Sequence, residues 1–390
     1  MEAFLKQIKG DRAIWMVTLF LGIASILLVY SSIVTLAYRH HDGNSLYYLL
    51  KHSFFVVAGF GMIWAIHRMK YSYFSRIAQV AMYASIPLLL LTLTMGTSIN
   101  SANRWLTIPI INQTFQTSDF AKLALMMYVA RMLALRQGDI KNFKKTFLPI
   151  IIPVIIVCGL ILPADLSTAA LLFVSCFILM FIGRISGKHL AGLAATGVLA
   201  LAMVYAVGKT NPGSVGRLDT WVSRMEAFAT PAEVNRNAMY QTNQAKIAIA
   251  TGGIPGKGPG NSTQRNFLPH PYSDFIFAIV LEEYGLLGGF SILLLYLILL
   301  YRSVRIVQAC DKPFGGFLAI GISFSLVFQA LINMAVAVNL LPVTGQPLPM
   351  VSMGGTSIWL TCIAIGIILS VSRGVEEVQA GGNKTKHAVS

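Results

Sequence analysis

Long apolar runs separated by short polar segments dominate this chain. Ten of the runs come close to the roughly 20 residues that an α-helix needs to cross a bilayer. They cover residues 14–36, 49–66, 77–95, 119–135, 147–163, 166–183, 189–207, 274–301, 315–338 and 355–372. Only Pro163, Ala164 and Asp165 mark the boundary between the fifth run and the sixth, so the division into two helices there rests on three residues. The pattern predicts an all-α, polytopic membrane protein with about ten helices.

The composition agrees with this fold class. Apolar residues make up 55% of the 390 residues and charged residues only 12%, against about 25% charged in soluble domains. We predict a single membrane-embedded domain over residues 1–373 and a cytoplasmic tail over residues 374–390. The four cysteines lie in apolar runs or in a predicted cytoplasmic loop, so no outer disulfide is expected.

Basic residues concentrate on one side of the predicted membrane. The short segments on that side are 1–13, 67–76, 136–146, 184–188, 302–314 and 373–390, and they contain 18 Lys and Arg. The short loops opposite contain only Arg39 and Arg104. This asymmetry predicts that both termini are cytoplasmic. It also accounts for most of the net charge of +15, which therefore does not indicate a nucleic-acid partner.

One connection is much longer than the others and lies on the predicted outer side. Residues 208–273 join the seventh and eighth runs, and connections of this length usually carry function. The segment GRLDTWVSRMEAF predicts an amphipathic helix with Arg217 and Arg224 on its polar side. A second short helix is predicted over NAMYQTNQAKIAIATGG, ended by glycine.

Asp274 stands where this outer loop enters the eighth apolar run. An ionisable group at a membrane boundary is costly, which makes it a functional candidate. Glu282 and Glu283 follow deeper in the same run. They need a buried partner or a water-filled cavity, and an ion pair with Lys122 or Arg131 is one interpretation.

Two further charged groups admit two interpretations each. Lys122 follows Asp119 by three residues in the fourth run, so the two form an ion pair, or Lys122 and Arg104 together face a cavity that receives an anionic lipid headgroup. Asp165 caps the sixth helix or takes part in a site.

The glycine-rich segment GGIPGKGPGNS is either a tight connector or a cradle for an anion. It is not a Walker loop, since Gly258 follows Lys257 where Ser or Thr is required. The seven histidines show no metal-ligand spacing. No Gly-x-Ser-x-Gly hydrolase motif is present.

Three segments together resemble the SEDS family of bacterial shape, elongation, division and sporulation proteins. They are GKGPGNSTQRNFLPHPYSDFIFAIVLEEYGLLGG, NLLPVTGQPLPMVSMGGTS, and SANRWLTIP followed by TSDFAKLALMMY. The resemblance covers nearly the whole chain, and ten helices with one large outer loop is that family's layout. Residues 260–265 are more similar to the FtsW and SpoVE branch than to RodA.

The resemblance implies a peptidoglycan glycosyltransferase that polymerises lipid II at the outer face of the bacterial cytoplasmic membrane during cell division. It implies a class B penicillin-binding transpeptidase and other division proteins as partners, besides lipid II and membrane lipids. The family's essential acid falls on Asp274, the expected general base. No resident cofactor is expected, although the use of Mg²⁺ or Mn²⁺ stays open.

The remaining site residues follow from the same resemblance and from the charges described above. The residues expected to bind lipid II and its pyrophosphate are Arg104, Lys122, Arg217, Lys257, Ser262, Gln264 and Arg265. The residues expected to support the site are Asp165, His270, Glu282 and Glu283. The chain departs from the family at His270, where members commonly have Glu, and at residues 164–167, where Pro-Asp-x-Gly is usual.

Two other functions fit a ten-helix protein. A flippase or transporter for a lipid-linked sugar is one, but the chain shows no internal repeat and its polar residues concentrate near the outer face. A non-catalytic division scaffold is the other. The joint presence of Asp274, Lys122 and Arg104 argues against a vestigial site.

Overall fold

The computed structural model describes residues 9–34, 36, 38, 44–99, 102–108, 113–210, 218–229 and 236–388. The α-helices in these residues are α1 (Arg12–Ser32), α2 (Ser45–His67), α3 (Tyr73–Met95), α4 (Thr117–Leu135), α5 (Leu148–Ile161), α6 (Leu166–Ile182), α7 (Gly187–Thr210), α8 (Leu218–Ala229), α9 (Arg236–Gly252), α10 (Ile276–Gln308), α11 (Pro313–Ala337) and α12 (Thr356–Ala388).

All ten predicted apolar runs form helices. Eight helices in the described part of the chain are long and apolar enough to cross a membrane, where α5 counts together with the helical turns at Phe143–Phe147. The other two runs are α4, which carries three charged residues, and α6, which has 17 residues. The two helices predicted in the outer loop are α8 and α9. The all-α, polytopic membrane fold is confirmed.

A small antiparallel sheet precedes α4, where the sequence predicts only a loop. Its strands are β1 (Thr97–Ile99), β2 (Ala102–Ile108) and β3 (Gln113–Gln116), in that order. Strand β2 pairs Leu106 with Phe115 of β3, and β3 continues directly into α4. The sheet therefore fixes Arg104, on β2, close to the first turn of α4.

Polar contacts tie the N-terminus to the other end of the bundle. Asp11 caps α1 by accepting from the backbone N–H groups of Ala13 and Ile14. Its other oxygen accepts from Arg302 at 2.5 and 2.7 Å, and Ser372 on α12 accepts from its backbone N–H at 2.9 Å. Three helices thus meet at the end of the molecule that the basic segments predict to be cytoplasmic.

Helix α10 is broken in its third turn, whereas the apolar run predicts one uninterrupted helix from residue 274. Gly285 has φ 64° and ψ −163°, a conformation that only glycine adopts readily. The backbone groups freed by the break bond to residues 253–258: Leu286 N to Gly253 O at 3.0 Å, Lys257 N to Glu282 O at 3.0 Å and Gly258 N to Glu283 O at 2.9 Å. The glycine-rich segment is thus a connector packed against the broken helix.

Close backbone packing at the break predicts that Gly256→Ala destabilises the protein. A Cβ at Gly256 would lie 2.2 Å from Glu283 O, which is backbone and cannot turn away. Overpacking of this kind costs about 1–3 kcal/mol, measured as a lower thermal midpoint in detergent. Gly260→Ala is the control, because its φ of +78° is close to the +83° of Gly256 but its Cβ would meet nothing within 4 Å. Equal midpoints for the two variants would contradict the expectation.

Candidate active site

Asp274 lies in the turn that leads into α10, and its backbone is fixed from two sides. Its carbonyl oxygen accepts from Asn333 Nδ2 on α11 at 2.9 Å. The preceding residue, Ser273, accepts at its carbonyl from Ser352 Oγ at 2.7 Å and donates from its own hydroxyl to Asp274 Oδ1 at 2.8 Å. One carboxylate oxygen, Oδ2, is left for other contacts. The acid is therefore held by residues 339–355 and α11.

Two amide side chains, one turn apart on α11, organise this region. Asn333 Nδ2 also donates to Gln346 O at 2.7 Å, and Gln329 Nε2 donates to Pro347 O at 2.9 Å. The residues expected from the sequence did not include either amide. A signal was present, because two polar side chains four residues apart in an apolar helix are uncommon in a membrane segment.

Arg224 of α8 lies near the acid, since Asp274 Oδ2 and Arg224 Nη1 are 3.6 and 4.0 Å from the position that a Cβ on Gly345 would take. Trp221 packs edge-on against Tyr205 of α7 at 6.3 Å between ring centres, and this orients α8. Arg224 Nη1 donates to Val343 O at 3.2 Å. Burial lowers the pKa of Arg224, while the carboxylates of Asp274 and Asp165 raise that pKa. A guanidinium stays charged at neutral pH, so Arg224 presents a fixed positive charge to the acid.

Arg224 is thus a site residue that the expected set omits. The amphipathic pattern places it on the polar side of its helix, but a pattern does not say what that side faces. Arg217, which the expected set includes, lies outside the described residues.

Arg104 and Asp165 form an ion pair beside Arg224. Arg104 Nη1 lies 2.9 Å from Asp165 Oδ2, and Arg104 Nε donates to Ala164 O at 2.8 Å. Asp165 Oδ1 also accepts from Thr168 N at 3.1 Å, so the helix-cap interpretation is confirmed, and the same side chain pairs with Arg104. Gln346 Nε2 donates to Thr168 Oγ1 at 2.7 Å, which links this pair to the loop that holds Asp274.

A cavity of about 180 Å³ opens between the two arginines. Its polar lining includes Arg104, Asp165 and Arg224, and its apolar lining includes Pro163, Val204 and Trp221. Two guanidinium groups beside an apolar wall suit an anionic headgroup on a lipid chain. This cavity fits the predicted pyrophosphate site better than the surroundings of Lys122 do.

Lys122 forms the ion pair that the first of its two interpretations predicts. Its Nζ lies 2.7 Å from Asp119 Oδ1 and donates to Gln329 Oε1 at 3.1 Å. The cavity beside it, between α4, α11 and α12, has about 50 Å³, which is room for about three to five waters. In this structure Lys122 holds Gln329, and through it the carbonyl of Pro347, rather than facing a lipid-sized space.

Lys122→Met is therefore expected to destabilise the protein through Asp119. The change leaves a buried carboxylate without its cation. We expect a loss of about 1–3 kcal/mol in the free energy of unfolding, and not more, because water in the adjacent cavity can hydrate the carboxylate. Adding Asp119→Asn removes the stranded charge and should restore the thermal midpoint. Polymer synthesis by the double variant separates the roles: activity close to the parent level agrees with a structural lysine, whereas a stable but inactive double variant indicates substrate contact.

Glu282 is enclosed by the loop that precedes Asp274. Lys257 Nζ lies 2.6 Å from Oε1, which also accepts from Thr263 N at 3.1 Å and Thr263 Oγ1 at 2.9 Å. Oε2 accepts from Ser262 Oγ at 2.5 Å and from Gln264 N at 3.2 Å. Glu282 is fully buried. Its cation is Lys257, so the interpretation with Lys122 or Arg131 is wrong; Arg131 donates to Ser75 O instead.

Three residues of the expected substrate set have a partner within the protein, and their binding of lipid II stays a prediction. Lys257, Ser262 and Gln264 direct donors to Glu282, where the resemblance predicts contacts with lipid II. The physical reason is that a carboxylate buried in an apolar helix needs every nearby donor. The sequence does not show that the loop residues 257–264 contact Glu282, because some 20 residues of chain separate them.

The last predicted residues surround the same loop. Glu283 Oε1 accepts from Ser262 N at 3.3 Å and from the hydroxyl of Ser31 on α1. Arg265 Nη1 donates to Ser31 O at 2.9 Å. His270 is half-buried, with its ring 6.2 Å from that of Tyr272. Within the described ranges no three His, Cys, Asp or Glu side chains are grouped to hold a metal ion.

Comparison with known proteins decides the family. The family model FTSW_RODA_SPOVE, described as "Cell cycle protein", matches residues 11–377. The chain belongs to this family. The FtsW of Trichlorobacter lovleyi, named a probable peptidoglycan glycosyltransferase, is 32% identical over 381 residues that cover 96% of each chain. Stage V sporulation protein E of Bacillus subtilis is 31% identical over 379 residues, 94% of this chain and 98% of the relative.

Solved structures of similar chains share the fold. A chain of a structure described as "Structural coordination of polymerization and crosslinking by a peptidoglycan synthase complex" aligns with a TM-score of 0.72 at 26% identity, covering 94% of this chain and 98% of that one. The rod shape determining protein RodA of Thermus thermophilus aligns with a TM-score of 0.65 at 25% identity, covering 93% and 97%. The predicted SEDS resemblance, most like FtsW and SpoVE, is confirmed.

Proposed function

We propose that the protein is a peptidoglycan glycosyltransferase that polymerises lipid II into glycan strands during cell division. One observation carries the proposal: the carboxylate of Asp274 lies in the field of the Arg224 guanidinium, and Arg224 together with Arg104 lines the cavity. A base, fixed positive charge and an apolar wall together suit a sugar carried on a lipid pyrophosphate. Family membership and the name of the FtsW relative support the same activity.

Asp274 acts as the general base in this proposal. The 4-hydroxyl of the acceptor sugar attacks the anomeric carbon of the growing strand, and its proton passes to Asp274 Oδ2. A new glycosidic C–O bond forms as the C–O bond to pyrophosphate breaks, and the leaving group keeps the electron pair. Ser273 holds Oδ1 at 2.8 Å, so the free oxygen keeps a defined direction. A single displacement of this kind inverts the anomeric centre.

The arginine-lined cavity receives the leaving pyrophosphate. Negative charge on the bridging oxygen grows in the transition state, and fixed cations in a site with little water stabilise it more than they stabilise the ground state. Arg104 is the residue best placed for this, since its ion pair with Asp165 fixes its orientation at the cavity wall. The apolar residues beside it accommodate the start of the lipid chain.

The proposed orientation follows from charge and from the site. Basic segments keep both termini cytoplasmic, which puts Asp274, α8 and the sheet at the outer face, where lipid-linked precursors are joined. A class B penicillin-binding transpeptidase is the proposed partner. The similarity to a chain from a peptidoglycan synthase complex supports that assignment.

Polymerisation by the purified protein tests the proposal. Fluorescent lipid II is incubated with the protein in detergent, with and without its transpeptidase, and products are resolved by length. Glycan strands that a muramidase digests are expected. Transfer of labelled lipid II across proteoliposomes without strand formation would favour the flippase, and absence of both activities with the partner present would favour the scaffold.

A further inference from the structure

Gln346 is a buried amide side chain between the two charged parts of the candidate site. Its Nε2 donates to Thr168 Oγ1 at 2.7 Å and lies 3.5 Å from Asp165 Oδ2. Asp165 is the ion-pair partner of Arg104 at the wall of the arginine-lined cavity. Because a buried amide donor without an acceptor is costly, these contacts hold the side chain of Gln346 in one direction. The side chain therefore faces the part of the site proposed to receive pyrophosphate.

The backbone of Gln346 is tied to the acid. An amide nitrogen carries two hydrogens, and Asn333 Nδ2 uses one for Gln346 O at 2.7 Å and the other for Asp274 O at 2.9 Å. Gln329 Nε2, one turn earlier on α11, donates to the next carbonyl of the loop, Pro347 O, at 2.9 Å. Gln346 and Asp274 are thus positioned by the same side chain of α11.

Together these contacts form one continuous path across the site. Thr168 completes it, because its hydroxyl accepts from Gln346 and its backbone N–H donates to Asp165 Oδ1 at 3.1 Å. Each contact along the path is 3.1 Å or shorter, and its four inner residues are buried. In order, the path runs through Asp274, Asn333, Gln346, Thr168, Asp165 and Arg104. Gln346 is its link between the loop that holds the acid and α6.

The proposed reaction depends on the separation between the two ends of this path. In a single displacement the attacking and the leaving oxygen lie on opposite sides of the anomeric carbon. The base at one end and the arginine at the other must therefore act on one sugar at the same time. A misplacement of about 1 Å in such a geometry can cost roughly 100-fold in rate, even when the altered residue is far from the chemistry.

We infer that Gln346 is a positioning residue for glycan synthesis, whose backbone and side chain together keep Asp274 in register with the Arg104–Asp165 pair. This inference rests on the proposed function. Gln346 acts through the other residues of the path rather than on lipid II itself. Its loss therefore slows the chemical step, whereas lipid II still binds through the separate contacts of the two ends.

Gln346→Met tests the inference, because methionine keeps the length of the side chain and removes the amide. We expect kcat for polymerisation of fluorescent lipid II, measured per amount of folded protein, to fall by about 10- to 100-fold while KM stays within about twofold. Inhibition by undecaprenyl pyrophosphate, which reports on the cavity alone, should be unchanged. A purely structural role would lower the thermal midpoint and leave both constants of the folded protein unchanged.

Gln137→Met is the matched control for the chemical change. Gln137 lies just beyond the far end of α4, where its Nε2 donates to Leu133 O at 3.0 Å. The variant loses an amide of the same kind away from the site, so it should polymerise at the parent rate.

Thr168 gives a second test from the other side of the same hydrogen bond. Thr168→Val removes the acceptor with little change of shape and should lower kcat as Gln346→Met does, whereas Thr168→Ser keeps a hydroxyl and should retain activity. Two changes that break one contact are not additive, so the double variant of Gln346→Met and Thr168→Val should be no slower than the slower single variant. If Gln346→Met does not fold, Thr168→Val compared with Thr168→Ser decides the point.

The outcomes separate this inference from the proposed function. If the unaltered protein polymerises lipid II and folded Gln346→Met and Thr168→Val do so at the parent rate, Gln346 does not position the site and only the inference fails. It also fails if the two single losses multiply in the double variant, because the two side chains then act independently. If the unaltered protein with its transpeptidase makes no polymer, the proposed function fails.

Discussion

Replacing Asp274 with asparagine should abolish glycan synthesis and leave the fold intact. Asparagine has the same shape, and its carbonyl oxygen can still accept from the Ser273 hydroxyl, which lies 2.8 Å from Oδ1. The amide cannot take a proton from a sugar hydroxyl, so the general-base contribution of about 10²–10⁴-fold is lost. Polymer from fluorescent lipid II, followed over time with the transpeptidase present, measures the effect.

The comparison needs a variant with the same chemical change elsewhere. Asp139→Asn serves, because Asp139 is exposed at the opposite end of the bundle and pairs only with exposed Lys145 among its described contacts, at 3.3 Å. It should polymerise at the parent rate. Synthesis by Asp274→Asn at the same rate as the control would remove Asp274 from the mechanism. If Asp274→Asn has a lowered thermal midpoint, its polymerisation rate is measured per amount of folded protein.

Replacing Glu282 with glutamine should cost about 3–5 kcal/mol of stability, the usual range for breaking a buried ion pair. Both carboxylate oxygens accept from several donors at once, including Lys257 at 2.6 Å and Gln264 N at 3.2 Å. The amide nitrogen of glutamine donates and cannot accept. Whether it replaces Oε1 or Oε2, it therefore faces N–H or O–H donors that have lost their acceptor. Lys257 also loses its counter-charge. The expected result is a large drop in the thermal midpoint and in the yield of folded protein.

The adjacent carboxyl is the control for this prediction. Glu283→Gln changes a side chain that is equally buried but has one oxygen, Oε2, without a hydrogen-bond partner among the described residues. Its destabilisation should be clearly smaller. Adding Lys257→Met to Glu282→Gln removes the stranded cation and should recover part of the loss. If Glu282→Gln and Glu283→Gln have the same midpoint, the enclosure of Glu282 does not stabilise the loop.

Hydropathy predicts the helices of this protein well, because each crossing needs an uninterrupted apolar run. It does not predict the break in α10. Gly285 sits in an apolar run like other glycines there, and its φ of 64° depends on residues 253–258 packing against it. The sheet before α4 is missed for a similar reason, since its strands are short and the sequence does not show which residues of one strand pair with the next.

The candidate site shows the same division. Asp274 stands out in the sequence because a charge at the edge of an apolar run is costly. Arg224 stands out less, since an arginine on the polar side of an amphipathic helix is ordinary. Its position near Asp274 Oδ2 is revealed only by the folded chain. The basic loop residues Lys257 and Arg265 are predicted phosphate ligands from the sequence, and only the folded chain shows their contacts with Glu282 and Ser31.

The pairing at the break in α10 also limits how the length of the chain can change. Leu286 N donates to Gly253 O and Lys257 N donates to Glu282 O. Backbone hydrogen bonds therefore join the two ends of the stretch from residue 253 to residue 286. An inserted or deleted residue inside this closed stretch would have to be absorbed between fixed ends, and it would shift Asp274 relative to Gly345. Insertions and deletions among relatives are therefore expected outside it, even though residues 253–275, about two thirds of the stretch, form a loop of the kind that usually tolerates them.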